Sequence, residues 1–532
     1  MGSDYPHPAF TLQLQLAALV GFPPNLLKEI VMRIRFLLTA ALASLSSMAS
    51  SVQAEIKLPN IFSDHMVLQQ GQENKIWGKG EPGETVTITL GDKKVTCKAD
   101  SKGDWSAMLP AMGLGEPLVL KVAGSSTIEV KDVLIGEVWI CSGQSNMQWS
   151  VNASNDPDLE KLSAKYPKIR MINFPQKGTQ EAIWSHDDRK WMVTTPESVG
   201  SFSAVGYFFA RQLHQTTDVP IGMINNAWGG SACEAWVNRS VLSAEFPKLV
   251  DRWKGMEDEF AKLNSKADRN DQENKRLGDL GRQMSGNARP GNIYNGVLKS
   301  HLGYGIKGAI WYQGESNAGR AYQYRELFPR MIKNWRDEWG QGDFPFYWVQ
   351  LADFQAEAKE PGDSDWAELR EAQTMAMDKV PNSGQAVIID IGEGKDIHPT
   401  NKEDVGKRLA RWALAKQYGI QIDYQSPRYD SMAVEGDKAI VSFKHVGSGW
   451  RPFDVNEVIG FTVAGEDKKF YNATAKILKD GRIEVSAPEV KTPVSVRYAW
   501  ATNPVCNLFS KNGLPVTPFR TDDWPGVTMG RD

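Results

Sequence analysis

Cysteine is scarce in this chain, with four in 532 residues. That excludes a disulfide-built scaffold. Cys97, Cys141, Cys233 and Cys506 are so scattered that no pairing can be read from them, and free buried thiols are as open a reading as a bridge. A surplus of either charge is also missing: 61 Lys and Arg stand against 64 Asp and Glu. Nothing therefore draws the chain as a whole to nucleic acid or anionic lipid. The seven histidines (His7, His65, His186, His214, His301, His398, His445) form no H-x-x-x-H pair, so a metal centre finds little support. There is no G-x-x-x-x-G-K-[ST] phosphate loop, and the reading calls for no metal and no organic cofactor. What is present is an ordinary globular composition, 41% hydrophobic and 23% charged. The 18 tryptophans offer flat apolar faces for core packing, some of which could serve a sugar site. The length exceeds what one core usually supports, which predicts two to four domains.

Met32-Arg33-Ile34-Arg35 followed by the apolar run Phe36 to Leu45, and then small residues to Val52-Gln53-Ala54, has the three regions of a secretory signal peptide. The apolar run is too short to span a bilayer. Residues 32–54 are therefore expected to direct export to the periplasm or medium, and residues 1–31 to be a spurious upstream extension, with translation starting at Met32.

Three textures follow. Residues 55–131 read as a small all-β domain, with Glu84–Leu90 alternating polar and apolar. From 132 to 421, apolar runs at Val133–Ile140, Ile169–Phe174, Pro220–Ile224, Ala309–Tyr312, Phe346–Leu351 and Ala386–Ile391 alternate with helical stretches at Ser203–Gln215, Tyr324–Trp335 and Lys402–Gln417. Such alternation predicts a three-layer α/β/α domain with a parallel sheet. Residues 238–288, charged and poor in β-branched side chains, read as a helical insertion. Residues 422–532 return to the β pattern and predict a sandwich or jelly-roll domain.

Four polar segments sit at the ends of the apolar runs, where an open parallel sheet places its sites. They are Gly143-Gln144-Ser145-Asn146-Met147, Asn226-Ala227-Trp228-Gly229-Gly230-Ser231, Trp311-Tyr312-Gln313-Gly314-Glu315-Ser316-Asn317 and Asp396-Ile397-His398-Pro399. Ser145 lies on a strand-to-helix turn that can expose a nucleophilic hydroxyl, although Met147 breaks the G-x-S-x-G elbow. Taken alone, Ser145 also reads as a helix cap, the glycine pair as a tight turn and His398 as a structural histidine. Thr400 and Glu403 fit a capping box for the helix behind His398. Taken together, Ser145, His398 and Asp396 make a serine–histidine–carboxylate set.

The four segments resemble the serine, glycine, Asn/Gln and histidine blocks of the SGNH (GDSL-like) hydrolases. With Ile61–Gln69 added, they resemble more narrowly the sialate O-acetylesterase family, over residues from about 55 to about 525. The resemblance implies an exported esterase that removes acetyl groups from sugars, sialic acids above all, with an O-acetylated sugar as partner. It implies Ser145 as nucleophile and His398 as base, with the N–H of Ser145, a glycine N–H at Gly229 or Gly230 and the Gln313 amide holding the oxyanion. Asn146, Trp228, Glu315 and Arg289 are then candidates for substrate contact, and Arg289 or Arg320 would suit a sialate carboxylate. Two departures stand out: Gln313 occupies a block where the superfamily usually has Asn, and Asp396 precedes His398 by two positions rather than three. Asp390 and Glu393 are weaker substitutes for Asp396. An acetylesterase of plant polysaccharide and a non-catalytic carbohydrate-binding protein are the alternative readings.

Overall fold

A computed structural model describes Met32, Arg33 and residues 55–531. The expected signal peptide and upstream extension lie outside the described residues. Glu55–Asp532 forms one compact unit, and among the described residues no helix is long and apolar enough to cross a membrane.

The N-terminal β region contains β1 (Val67–Gln69), β2 (Asn74–Lys79), β3 (Thr85–Leu90), β4 (Lys93–Lys98), β5 (Asp104–Leu109) and β6 (Leu118–Ala123). In β3 the apolar side chains of Val86, Ile88 and Leu90 are buried on one face, as the alternation requires. The next strand, β7 (Thr127–Gly143), is 17 residues long and belongs to two structures. Its first half pairs antiparallel with β6, and its second half runs parallel to neighbours in the central sheet. The boundary expected at 131/132 therefore falls inside a continuous strand.

The central sheet adds β8 (Tyr166–Asn173), β9 (Trp191–Thr194), β10 (Ile221–Asn225), β11 (Gly308–Tyr312), β12 (Phe346–Val349) and β13 (Ser383–Ala386). The order is β13-β12-β11-β7-β10-β8-β9, parallel throughout except for β9. Each central strand is buried on both faces, as its near-continuous apolar sequence demands. Trp139 and Cys141 of β7 pack on one side with Phe208, Phe209, Leu409 and Trp412, from the helices Ala204–Thr217 and Lys402–Gln417. Val138 and Ile140 pack on the other side with Tyr324, Phe328 and Leu369, from the helices Ala321–Trp339 and Asp365–Lys379. This is the expected three-layer arrangement. The charged stretch 238–288 is helical, with helices Arg239–Glu245, Pro247–Ser265 and Asp271–Met284.

Two local expectations are corrected. The apolar run 386–391 is not the sixth strand, because β13 ends at Ala386. Val387 and Ile389 instead enter the core of the C-terminal β region, while Ile388 and Ile391 stay in that of the α/β layers. The helix Lys402–Gln417 is capped not by Thr400 and Glu403 but by Asn401, whose Oδ1 accepts the Asp404 N–H at 3.2 Å. Thr400 is already engaged, its N–H and hydroxyl donating to Glu393 at 2.7 and 2.8 Å.

Strands between Arg428 and Arg520 form two four-stranded sheets and one two-stranded sheet, all antiparallel. All four cysteines are free thiols.

Candidate active site

The strands β7, β10 and β11 end together, and their following loops converge. Ser145 opens a short helix, Ser145–Gln148, two residues beyond β7. As the first residue of a helix its N–H has no intrahelical acceptor. The turn is possible because residue 143 is glycine: its φ is +130°, and a Cβ there would lie 2.1 Å from the Tyr312 carbonyl oxygen. The turn that carries Ser145 therefore lies directly on the end of β11, and Gln144 N–H donates to that same carbonyl at 2.9 Å.

His398 reaches the serine from a loop 253 residues away in sequence, with Nε2 2.9 Å from Ser145 Oγ. Its Nδ1 lies 3.1 Å from Asp396 Oδ1, which also accepts the His398 backbone N–H at 2.9 Å. With the ring proton on Nδ1 facing this carboxylate, Nε2 is left to accept from the serine hydroxyl. The His398 backbone N–H and the imidazole hold Asp396 below the usual carboxylate range. Trp149 stacks on the imidazole with centroids 4.6 Å apart and planes 11° from parallel. The indole is itself tied down by its N–H to the Ala153 carbonyl at 2.7 Å.

The glycine loop lies across from Ser145. A Cβ on Gly229 would sit 3.3 Å from Ser145 Cβ, so this backbone is within reach of a group bound to the serine. The Gly229 N–H donates to the side-chain carbonyl of Gln148, Oε1, at 2.8 Å. Gly230 is more exposed, and Asn287 Nδ2 donates to the Gly229 carbonyl from the other side. Trp228 is partly exposed beside it.

Gln313 requires a correction. It is fully buried, and its Nε2 donates to the Ser231 carbonyl at 3.1 Å and to Asn317 Oδ1 at 2.7 Å. Both amide hydrogens are thus engaged, and its Oε1 accepts the Tyr324 hydroxyl at 2.9 Å. Gln313 braces the third block and has no N–H left for an oxyanion. Arg289 is likewise occupied, donating to Glu257 at 2.8 Å and to the Met284 carbonyl at 3.1 Å. Arg320 pairs with buried Glu234 at 2.7 Å.

Asn146 and Glu315, expected to face substrate, face each other instead. Asn146 is buried and donates to Glu315 Oε1 at 2.7 Å and to the Ile397 carbonyl at 3.0 Å. Sequence reasoning missed three residues here: Trp149, Gln148 and the fully buried Lys402, which donates to Asn146 Oδ1. A lysine inside an apolar helix face, as in K-x-x-V-x-x-x-L, was the available signal for the last.

Residues 135–265 and 281–415 match the family model described as carbohydrate esterase, sialic acid-specific acetylesterase. A sialate O-acetylesterase of Mus musculus is 28% identical over 87% of this chain and 94% of its own length. One of Rattus norvegicus is 30% identical over 70% of this chain and 75% of its own. The crystal structure of a carbohydrate acetylesterase from Xanthomonas citri is 38% identical and superposes with a TM-score of 0.77, covering 88% of this chain and all of that one.

Proposed function

This chain belongs to the sialic acid-specific acetylesterase family of carbohydrate esterases, and from that premise we propose that it removes acetyl groups from sugars through a serine acyl-enzyme at Ser145. The observation that carries the assignment is the 2.9 Å contact between Ser145 Oγ and His398 Nε2, with Asp396 behind the ring. His398 takes the serine proton as Oγ attacks the acetyl carbonyl, and Asp396 fixes the imidazole tautomer. Trp149 offers its face to the imidazolium that forms. The N–H groups of Ser145 and Gly229 hold the tetrahedral oxyanion, each worth about 3 kcal/mol of barrier when aligned, and Gln148 swings off Gly229 to admit it. His398 then protonates the departing sugar alcohol, and water delivered by the same base hydrolyses the acetyl-enzyme.

The named relatives support an O-acetylated sialic acid as the first substrate to test. Arg289 and Arg320 are both committed to carboxylates. A shallow pocket of about 490 Å³ next to the glycine loop, lined by Trp253, Gln283 and Asn287, offers an indole face and side-chain amides to a sugar instead, its arginines Arg276 and Arg282 being paired with Glu259 and Asp279. The leader pattern at 32–54 supports export, with a mature chain that begins at Glu55; N-terminal sequencing of the secreted protein reads this directly.

The deciding experiment is acetate release from mono-O-acetylated sialic acids, beside acetylated xylan oligosaccharides, by the wild type, Ser145→Ala and His398→Ala. Both variants are expected to lose at least a thousandfold in kcat on either substrate class. Near-wild-type turnover by either one removes the assignment. Activity confined to the xylan oligosaccharides removes the sialate reading alone.

A further inference from the structure

Lys402 breaks two rules at once. It is fully buried, and it is the first residue of a 16-residue helix, where the helix dipole disfavours a cation. Residues that break local rules at a cost in stability mark functional positions. Its Nζ donates to Asn146 Oδ1 at 2.5 Å and lies 5.4 Å from the Tyr312 ring and 5.8 Å from that of Trp149, the indole stacked on His398. The charged groups facing it are Glu315, from the turn after β11, and Glu393 and Asp396, from the loop ahead of His398.

We propose that Lys402 is a positioning residue for the acyl-transfer pair, acting through the side chain of Asn146. This rests on the assignment of Ser145 and His398 made above. A carboxamide can lie either way round, and the donor at Lys402 fixes the Asn146 oxygen towards the helix. Its two N–H groups are then directed to Glu315 Oε1 at 2.7 Å and to the carbonyl of Ile397 at 3.0 Å. Asn146 directly follows the nucleophile and Ile397 directly precedes the base, so one side chain ties together the two segments that hold Oγ and Nε2 at 2.9 Å. With the amide reversed, its oxygen would meet the carboxylate of Glu315 and the Ile397 carbonyl, two acceptors, and the tie would open. Glu315 Oε2 is buried without a hydrogen-bond partner, so the charge of this carboxylate also depends on the ammonium nearby. Burial pulls Lys402 down to about 7 while Glu315, Glu393 and Asp396 pull it back. The ammonium can thus be present near neutral pH.

The test is kcat and KM for 4-nitrophenyl acetate in the wild type, Lys402→Met, Lys402→Gln, Asn146→Ala, the Lys402→Met/Asn146→Ala double variant and Ser145→Ala. Displacing a reacting group by about 1 Å can cost on the order of a hundredfold in rate. Lys402→Met and Asn146→Ala are each expected to lower kcat by roughly 10- to 100-fold with KM moved less than about threefold. The double variant should be no slower than the slower single, because both remove one tie. Lys402→Gln keeps an N–H donor without the charge and should recover to within about fivefold of wild type. Wild-type kcat in Lys402→Met, losses that multiply in the double variant, or a Lys402→Gln as slow as Lys402→Met each overturn the proposal. If Lys402→Met does not fold, wild-type kcat in Asn146→Ala overturns it equally. An active Ser145→Ala removes the underlying assignment, whereas an inactive Ser145→Ala beside a wild-type Lys402→Met removes only the role of Lys402.

Discussion

Asp396 occupies the third place in the proposed catalytic set, but its carboxylate is 54% exposed on the side chain and its contact to His398 Nδ1 is 3.1 Å. Water screens most of the electrostatic worth of such a pair, which leaves orientation as its main service. Orientation is also shared, since the same Oδ1 accepts the His398 backbone N–H and Asn146 holds the carbonyl of Ile397. Asp396→Asn retains an acceptor at that place and is expected to lower kcat by roughly 10- to 100-fold, far less than the about ten-thousandfold known where a buried triad aspartate is amidated. The check is kcat for 4-nitrophenyl acetate with the melting temperature unchanged. A loss of about ten-thousandfold would mean that the charge itself is needed. Ser145, His398 and Asp396 were legible in the sequence because each sits in a short motif at a strand end, where position alone limits the side chain's reach. Gln313 and Arg289 were not, because what an amide or guanidinium faces is decided by distant partners: Tyr324 and Asn317 for one, Glu257 for the other.

At the scale of elements, the helix Lys402–Gln417 shows where pattern runs out. Residues 400–404 read Thr-Asn-Lys-Glu-Asp, so a cap can be drawn from Thr400 to Glu403 or from Asn401 to Asp404. The second frame forms because Glu393 takes Thr400 and Arg211 takes Glu403 at 2.7 Å. The apolar face of the helix was legible from its spacing, whereas the buried lysine at its start was not, since it answers to Asn146 and Glu315 on other segments. That lysine should also mark the stability of the fold. In the unfolded chain it holds its proton up to the ordinary 10.5, while in the folded protein it releases it near 7. Between these limits the unfolded state binds more protons, so folding gains stability as pH rises through that window and lacks it below. Glu315, whose pKa burial raises above 4.5, works in the opposite direction just above that value. The melting temperature of the wild type is therefore expected to gain on that of Lys402→Gln between pH 7 and 9. Parallel curves across that range would show that the lysine stays charged when buried.

Over the whole molecule, the three textures of the sequence correspond to largely antiparallel, then parallel, then again antiparallel strand pairing, but the joints between them were hidden. β7 carries the N-terminal β region straight into the central sheet, and the run Val387–Ile391 divides its side chains between two cores. An apolar run states only that both faces are covered, not by what. Arg370, on the helix Asp365–Lys379, makes the least visible joint. It is fully buried, and its guanidinium donates to the carbonyls of Leu351 and Ala352 after β12 and to those of Ala501 and Thr502 in the C-terminal β region. Burial lowers it to about 10, and the neighbouring Asp353 partly restores it, so it remains charged at neutral pH. Replacing it by Met leaves four carbonyls and a carboxylate without the cation between them. The expected cost is about 3 kcal/mol or more, because breaking a buried charged network by one member is far more damaging than removing it whole. Arg370→Met should therefore unfold at lower urea concentration, with the C-terminal β region more open to protease, while the folded fraction keeps kcat on 4-nitrophenyl acetate within about tenfold of wild type, because the hydrogen bonds of Arg370 go to carbonyls of Leu351, Ala352, Ala501 and Thr502 and not to Ser145, Asp396 or His398. Unchanged urea midpoint and proteolysis would show that the two regions are held together by their apolar surfaces alone.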